Sequence, residues 1–179
     1  MNIPALILET APASEPLVLS DVKDYLKVSG TDDDTLITTL IKTVRQSAEK
    51  FLRASLITQS WKLSYDGYTP AKIELPAAPV QSITSVTAYT RSEVATAIST
   101  DNYYLSAGNR NLMFNANVVS HRIEILYVTG YGDAASDVPN PIKQGMLAHI
   151  AAIYDGRAGG KAMPSQSREL YSAYRNVIL

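Results

Sequence analysis

The apolar residues of this chain change period at a few points, and each change marks a structural boundary. Residues 1–18 show no helical spacing and carry Pro4, Pro12 and Pro16, which exclude a regular helix and predict an extended arm. Ser20 then reads as an N-cap, with Asp21 and Asp24 in the first turn and Val22, Tyr25 and Leu26 on one apolar face. Ser29-Gly30 is the expected stop. A second helix begins near Thr31–Asp34. Leu36, Leu40, Val44 and Ala48 recur every fourth residue, joined by Ile37, Ile41, Phe51 and Leu52, and the opposite face carries Lys42, Arg45, Gln46, Glu49 and Lys50.

At Ile57 the pattern becomes alternating. Ile57, Gln59, Trp61, Leu63 and Tyr65 point one way and Thr58, Ser60, Lys62 and Ser64 the other, as in a half-buried strand. Gly67 and Pro70 turn the chain, and short strands are predicted at Lys72–Leu75, Ile83–Tyr89, Tyr103–Leu105, Leu112–Phe114 and Arg122–Thr129. Ala107-Gly108-Asn109 is the tightest turn signal, and polar residues 90–101 read as a mobile hairpin tip. Helical spacing returns after Pro139 and Pro141, with Ile142, Met146, His149, Ile150 and Ile153 as the buried stripe. Gly156, Gly159, Gly160 and Pro164 break the chain before a last helix that sets Leu170, Tyr171, Tyr174 and Ile178 on one side.

These elements predict one α+β domain over 1–179. It comprises an extended arm (1–18), helices (20–54), a β-lobe (57–131), a helix (139–157) and a C-terminal helix (165–178). Two long helices with short N- and C-terminal helices form the core, and the antiparallel β-lobe is inserted into it. A chain of 179 residues hides roughly 70% of its extended surface, enough for a core without staples. Zero cysteines exclude a disulfide framework and any Cys-ligated metal.

Net charge of −1 argues against a general nucleic-acid binder, but the ends differ. Residues 1–35 hold seven acids against Lys23 and Lys27, whereas 156–179 hold Arg157, Lys161, Arg168 and Arg175 against Glu169. Two solvated ends are the plain reading; the sharper one is that they face different neighbours in an assembly. No apolar run approaches the ~18 residues that span a bilayer, and the short apolar amino-terminal patch lacks the basic start of a signal peptide. A protein made in the cytoplasm, with no membrane contact, is expected.

Chemical motifs are few. Asp32-Asp33-Asp34 are consecutive rather than alternating and position 43 is Thr43, so calcium-loop geometry fails and helix-start charge is the better account. Gly159-Gly160-Lys161 lacks the earlier glycine (Asp155) and the following hydroxyl (Ala162) of a phosphate loop. Val128-Thr129-Gly130-Tyr131-Gly132 would act as an ion filter only between membrane helices; here it reads as a sharp strand exit. His149 lies on an apolar stripe, a hydrogen-bonded core or interface histidine, and His121 reads as exposed. No Gly-x-Ser-x-Gly elbow or paired-histidine motif organises catalysis or zinc. Trp61 reads as a core or subunit-contact anchor. Tyr171 and Tyr174 among Arg168 and Arg175 have the composition of a protein interface, or equally of a solvated helix side.

The order of these pieces resembles the head–tail connector (adaptor) proteins of long-tailed bacteriophages and of related gene transfer agents. The residues that carry the resemblance begin with Leu19-Ser20-Asp21-Val22-Lys23-Asp24-Tyr25-Leu26 and the acidic start of the long helix. Leu56-Ile57-Thr58-Gln59-Ser60-Trp61 follows, then Ile73-Glu74-Leu75-Pro76-Ala77-Ala78-Pro79-Val80-Gln81-Ser82-Ile83 leading to Val86-Thr87-Ala88-Tyr89. Tyr127–Gly132, Val138-Pro139, Ile142-Lys143-Gln144 and Tyr154-Asp155-Gly156-Arg157 close the block. Thr90-Arg91-Ser92-Glu93 departs from the Asp-Gly turn common in the family.

The resemblance implies a structural virion protein rather than an enzyme, without cofactor or metal. Copies would form a ring, dodecameric when assembled, under the portal protein. The ring would extend the DNA channel without reading sequence and offer a docking surface to a stopper or tail-completion protein. A portal or ring interface around Arg157, Arg168, Tyr171, Tyr174 and Arg175 is the accompanying expectation. The alternative is a small ligand-binding or hydrolytic module in the β-lobe, whose sign would be a deep pocket with convergent polar groups.

Overall fold

The computed structural model describes residues 4–67, 69–115, 118–156 and 162–175. It is a mixed α+β fold with two long and two short helices and an inserted antiparallel β-lobe. The chain divides into two compact units. One is Thr58–Gly130 with the amino-terminal residues up to Ala11; the other is Pro12–Ile57 with the residues from Tyr131 onward.

In the β unit, a five-stranded sheet has the order β1 (Ala5–Thr10), β2 (Gln59–Asp66), β8 (Arg122–Thr129), β4 (Val80–Tyr89), β5 (Ala95–Ala97), every neighbouring pair antiparallel. A second sheet orders β3 (Lys72–Glu74), β7 (Asn111–Phe114) and β6 (Tyr103–Leu105). Strict alternation decides which face is buried: on β8, Ile123, Ile125, Tyr127 and Thr129 point inward and the residues between them are half-exposed. Leu63, Leu75, Val86, Tyr103 and Leu112 complete that core, with Trp61 packed on its edge. The Tyr127 hydroxyl donates to the Pro76 carbonyl at 3.1 Å. The turn at Gly108 and Asn109 joins β6 to β7, both residues in the left-handed region.

Two strands were hidden by the sequence pattern. The amino-terminal arm contains β1, an edge strand between Pro4 and Pro12 whose residues are all exposed, so its alternation carries no burial signal. Within 90–101, β5 pairs with β4 from Thr87↔Ala97 to Tyr89↔Ala95. The Glu93 carboxylate, at the tip, pairs with Arg122.

In the helical unit, α1 (Leu19–Leu26) starts one residue earlier than the Ser20 cap predicts: Val18 is the N-cap, and the Ser20 hydroxyl instead reaches Asp21 at 3.4 Å. It also ends before Ser29-Gly30, because Lys27 takes the left-handed cap and the Val28 N–H bonds to the Lys23 carbonyl. The second helix, α2 (Asp34–Leu52), buries Ile37, Leu40, Ile41, Val44, Ala48 and Leu52, while Leu36 is 46% exposed. It packs on α3 (Asn140–Gly156), which buries Ile142, Met146 and Ile150. The last helix, α4 (Ser165–Ser172), is shorter than the predicted 165–178, and residues 176–179 lie outside the described ones.

Arg45 corrects the polar-face reading of α2. It is 6% exposed and donates from Nε to Glu15 at 2.7 Å and from Nη1 to Glu49 at 2.8 Å. Glu49 in turn accepts the Leu56 N–H at 3.0 Å. One guanidinium thereby fixes where the chain enters and where it leaves the helix pair. Arg45→Ala strands two partly buried carboxylates and should destabilise the protein by about 2–3 kcal/mol in denaturant unfolding, without changing the slope of the transition.

Candidate assembly surfaces

The C-terminal helix is the first candidate surface, and its sequence-predicted residues play unlike parts. Arg157 lies outside the described residues. Arg168 is exposed. Tyr171 has no exposed surface: its ring lies 6.0 Å from Phe51 and fills the space over Gly145. Burial raises its phenol well above the usual tyrosine range. It anchors the helix and offers nothing to a partner. Tyr174 is half-buried against the same core, and the Arg175 guanidinium stacks over Phe51 at 5.1 Å.

Gly145 is what permits this packing. A Cβ there would stand 2.5 Å from Tyr171 Cε1, and the Ser167 hydroxyl donates to the Gly145 carbonyl at 2.8 Å. The glycine is therefore a notch on α3 that receives α4. Sequence reading found the apolar stripe either side of it but took no account of the notch.

His149, one turn beyond Gly145, is 3% exposed, and its Nδ1 has no hydrogen-bond partner among the described residues. The core placement agrees with expectation; the expected hydrogen bond is missing at that nitrogen. Burial lowers its pKa below the ordinary value.

The acidic end is only partly a surface. Glu15 pairs with Arg45, Asp34 with Lys23, Asp33 accepts the Tyr154 hydroxyl, and Glu9 lies 3.5 Å from Lys62. What remains facing solvent is Asp21, Asp24 and Asp32, with Tyr25 beside them at 45% exposure. The triple aspartate thus splits: two members serve the fold and one does not.

In the β unit, Arg122 joins Glu93 and Glu124 and stacks over Tyr89 at 4.2 Å. The Tyr89 hydroxyl donates to Glu124 at 3.1 Å, and that bond is the largest cause of its raised pKa. The neighbouring depression, lined by Ala88, Thr96, Ile98, Asn102, Val118 and Val119, is open and mostly apolar. It holds no cluster of convergent titrating groups. Among the described residues, no group of three or more His, Asp or Glu is placed to hold a metal, and no helix is long and apolar enough to cross a membrane.

The family pattern described as HCP, head completion protein, matches residues 17–150. The chain belongs to the head completion protein family. Head completion proteins of this kind are structural, connector-type components of the virion, and this one is a structural protein rather than an enzyme. Solved structures share the whole fold. A chain from the neck of an empty gene transfer agent particle, computed with C6 symmetry, superposes with a TM-score of 0.82 at 21% identity, covering 98% of this chain and 97% of that one. A chain from the virion of a native gene transfer agent gives 0.80 at 21% identity, over 97% and 96%. One from the neck of a native particle, computed with C12 symmetry, gives 0.79 at 21%, over 98% and 97%. No curated protein matches.

Two measurements check this account. The unfolded chain takes up a proton at His149 near pH ~6.5, the folded chain only at lower pH. Stability should hold above about pH 6.5 and fall as pH drops below it, and His149→Leu should flatten that fall in thermal melts. Gly145→Ala forces a methyl into the Tyr171 ring and should destabilise by about 1–3 kcal/mol, with increased proteolysis at α4.

Proposed function

We propose that this head completion protein assembles as a twelve-membered ring beneath the portal of a virion. There it extends the DNA channel and presents the docking surface for a stopper or tail-completion protein. The observation that carries the reading is the end-to-end superposition on neck components of gene transfer agent particles, with TM-scores near 0.8 and almost no unmatched chain on either side. DNA passes such a ring without sequence-specific contact, which suits a net charge of −1.

In this reading α4 and the residues after it meet the portal. Arg168 is the exposed cation on that helix, Arg175 and Tyr174 border it, and Tyr171 keeps the helix seated. Arg157 precedes the helix in sequence. Removing 165–179 outright would strip Tyr171 from the core, so the informative change is a single surface one. Arg168→Glu should leave the melting temperature unchanged and lower attachment to DNA-filled heads about tenfold or more. Wild-type attachment by that variant would refute α4 as the portal contact. Native mass measurement of the protein, alone and mixed with portal, tests the ring itself; absence of any higher-order species in the mixture would count against it.

A further inference from the structure

Within α1 and α2 the exposed charges differ in sign: Asp21 and Asp24 on α1, Lys42 and Lys50 on α2. Asp21 and Asp24 lie on α1, Asp32 just before α2, and Asp155 follows Tyr154, whose hydroxyl reaches Asp33. None of these four carboxylates pairs with a cation among the described residues. Lys27, the left-handed cap of α1, is the exposed base beside them. Along the solvent side of α2, Lys42, Gln46 and Lys50 fall at i, i+4 and i+8, and Arg53 caps the helix. The carboxylate of Glu49, which interrupts that side in sequence, is held by Arg45 and the Leu56 N–H.

A merely solvated helix face interleaves opposite charges at i,i+4 spacing. Here Lys42 and Lys50 lie two turns apart with neutral Gln46 between them and no exposed acid within α2. From Asp33 the helix axis advances about 14 Å to Lys42 and about 26 Å to Lys50, beyond the reach of a direct ion pair, and neither lysine pairs with an acid among the described residues. A head-to-tail contact between identical copies requires two different, complementary patches, and surfaces of opposite sign supply that. The acidic patch also has an apolar centre. Tyr25, expected on the apolar face with Val22 and Leu26, is instead 45% exposed one turn after Asp21, and tyrosine ringed by charge is a frequent anchor of protein contacts.

We infer that the exposed face of α1 in one copy docks on the solvent face of α2 in the next, Asp21 and Asp24 meeting Lys42 and Lys50 around Tyr25. This rests on the ring reading and specifies which surfaces close it. It is independent of the portal contact at Arg168.

The test is a charge swap in the full chain, with assembly followed by mass on purified portal. Lys42→Glu/Lys50→Glu and Asp21→Lys/Asp24→Lys should each reduce ring formation about tenfold or more at low salt while melting as wild type does. Mixed in equal amounts, the two variants should recover rings, because a reversed acid then meets a reversed base. Rings that form normally from either variant alone, or a mixture of folded variants that fails to recover, overturn the docking. So does a lysine variant that assembles normally but loses binding to duplex DNA, which would assign the α2 face to another occupant. A wild-type protein that never assembles on portal sinks the ring reading first, and this contact with it.

Discussion

The arrangement of the helical unit depends on one buried cation. Arg45 sits on α2 among Val44, Ala48 and Ile41, where a charge is costly unless it is fully paired. Glu15 reaches it from the segment before α1, and Glu49 reaches it from the next helical turn. Because Glu49 also holds the Leu56 N–H, the pairing fixes the chain on both sides of the helices. These are the places, near residues 11 and 57, where the chain passes from one compact unit to the other. Apolar burial alone would tolerate sliding of such segments. The directional pairing of a guanidinium with two carboxylates does not.

With those groups committed to the fold, the remaining polar residues become easier to interpret. Of the seven acids near the amino end, Glu15, Asp33 and Asp34 are held internally, Glu9 lies beside Lys62, and Asp21, Asp24 and Asp32 are left to solvent. On α4, Ser167 and Tyr171 face α3, whereas Arg168 faces out. An assembly protein needs both classes. Rigid internal pairing keeps each patch in a fixed place, and unpaired surface charge gives a partner something to recognise.

How far the sequence could be read followed how each residue reports its burial. The strands Tyr103–Leu105 and Arg122–Thr129 were predicted with their observed limits, since alternation across a one-sided sheet is a direct record of inside and outside. The edge strand Ala5–Thr10 is exposed throughout, so no alternation recorded it, and its bounding prolines pointed to an arm. Arg45 was assigned to solvent because periodicity sees only apolar side chains; its partner Glu15 lies 30 residues away. The role of Gly145 was unreadable for a related reason: a notch is defined by the ring that enters it, and Tyr171 comes from a different helix. The interface role given to Tyr171 fails on the same packing.

Sheet geometry disfavours strand-edge contacts between copies in the proposed ring. The five-stranded sheet has two free edges, β1 and β5, and joining them head to tail is the simplest way a sheet could close a ring. Neighbouring strands rotate by about 20–25°, so β1 and β5 differ in direction by roughly 80–100° across the sheet. The irregular registers in the β1–β2 and β4–β8 pairs add to that twist. Successive copies in the proposed twelvefold ring turn by only about 30°, too little to bring one edge parallel to the other. The edges also carry the features that discourage strand addition: β5 has three residues, and β1 is bounded by Pro4 and Pro12 and ends in a bulge between Leu8 and Thr10. Contacts between side chains on helices impose no such alignment, and the proposed contact between α1 and α2 of neighbouring copies is of that kind.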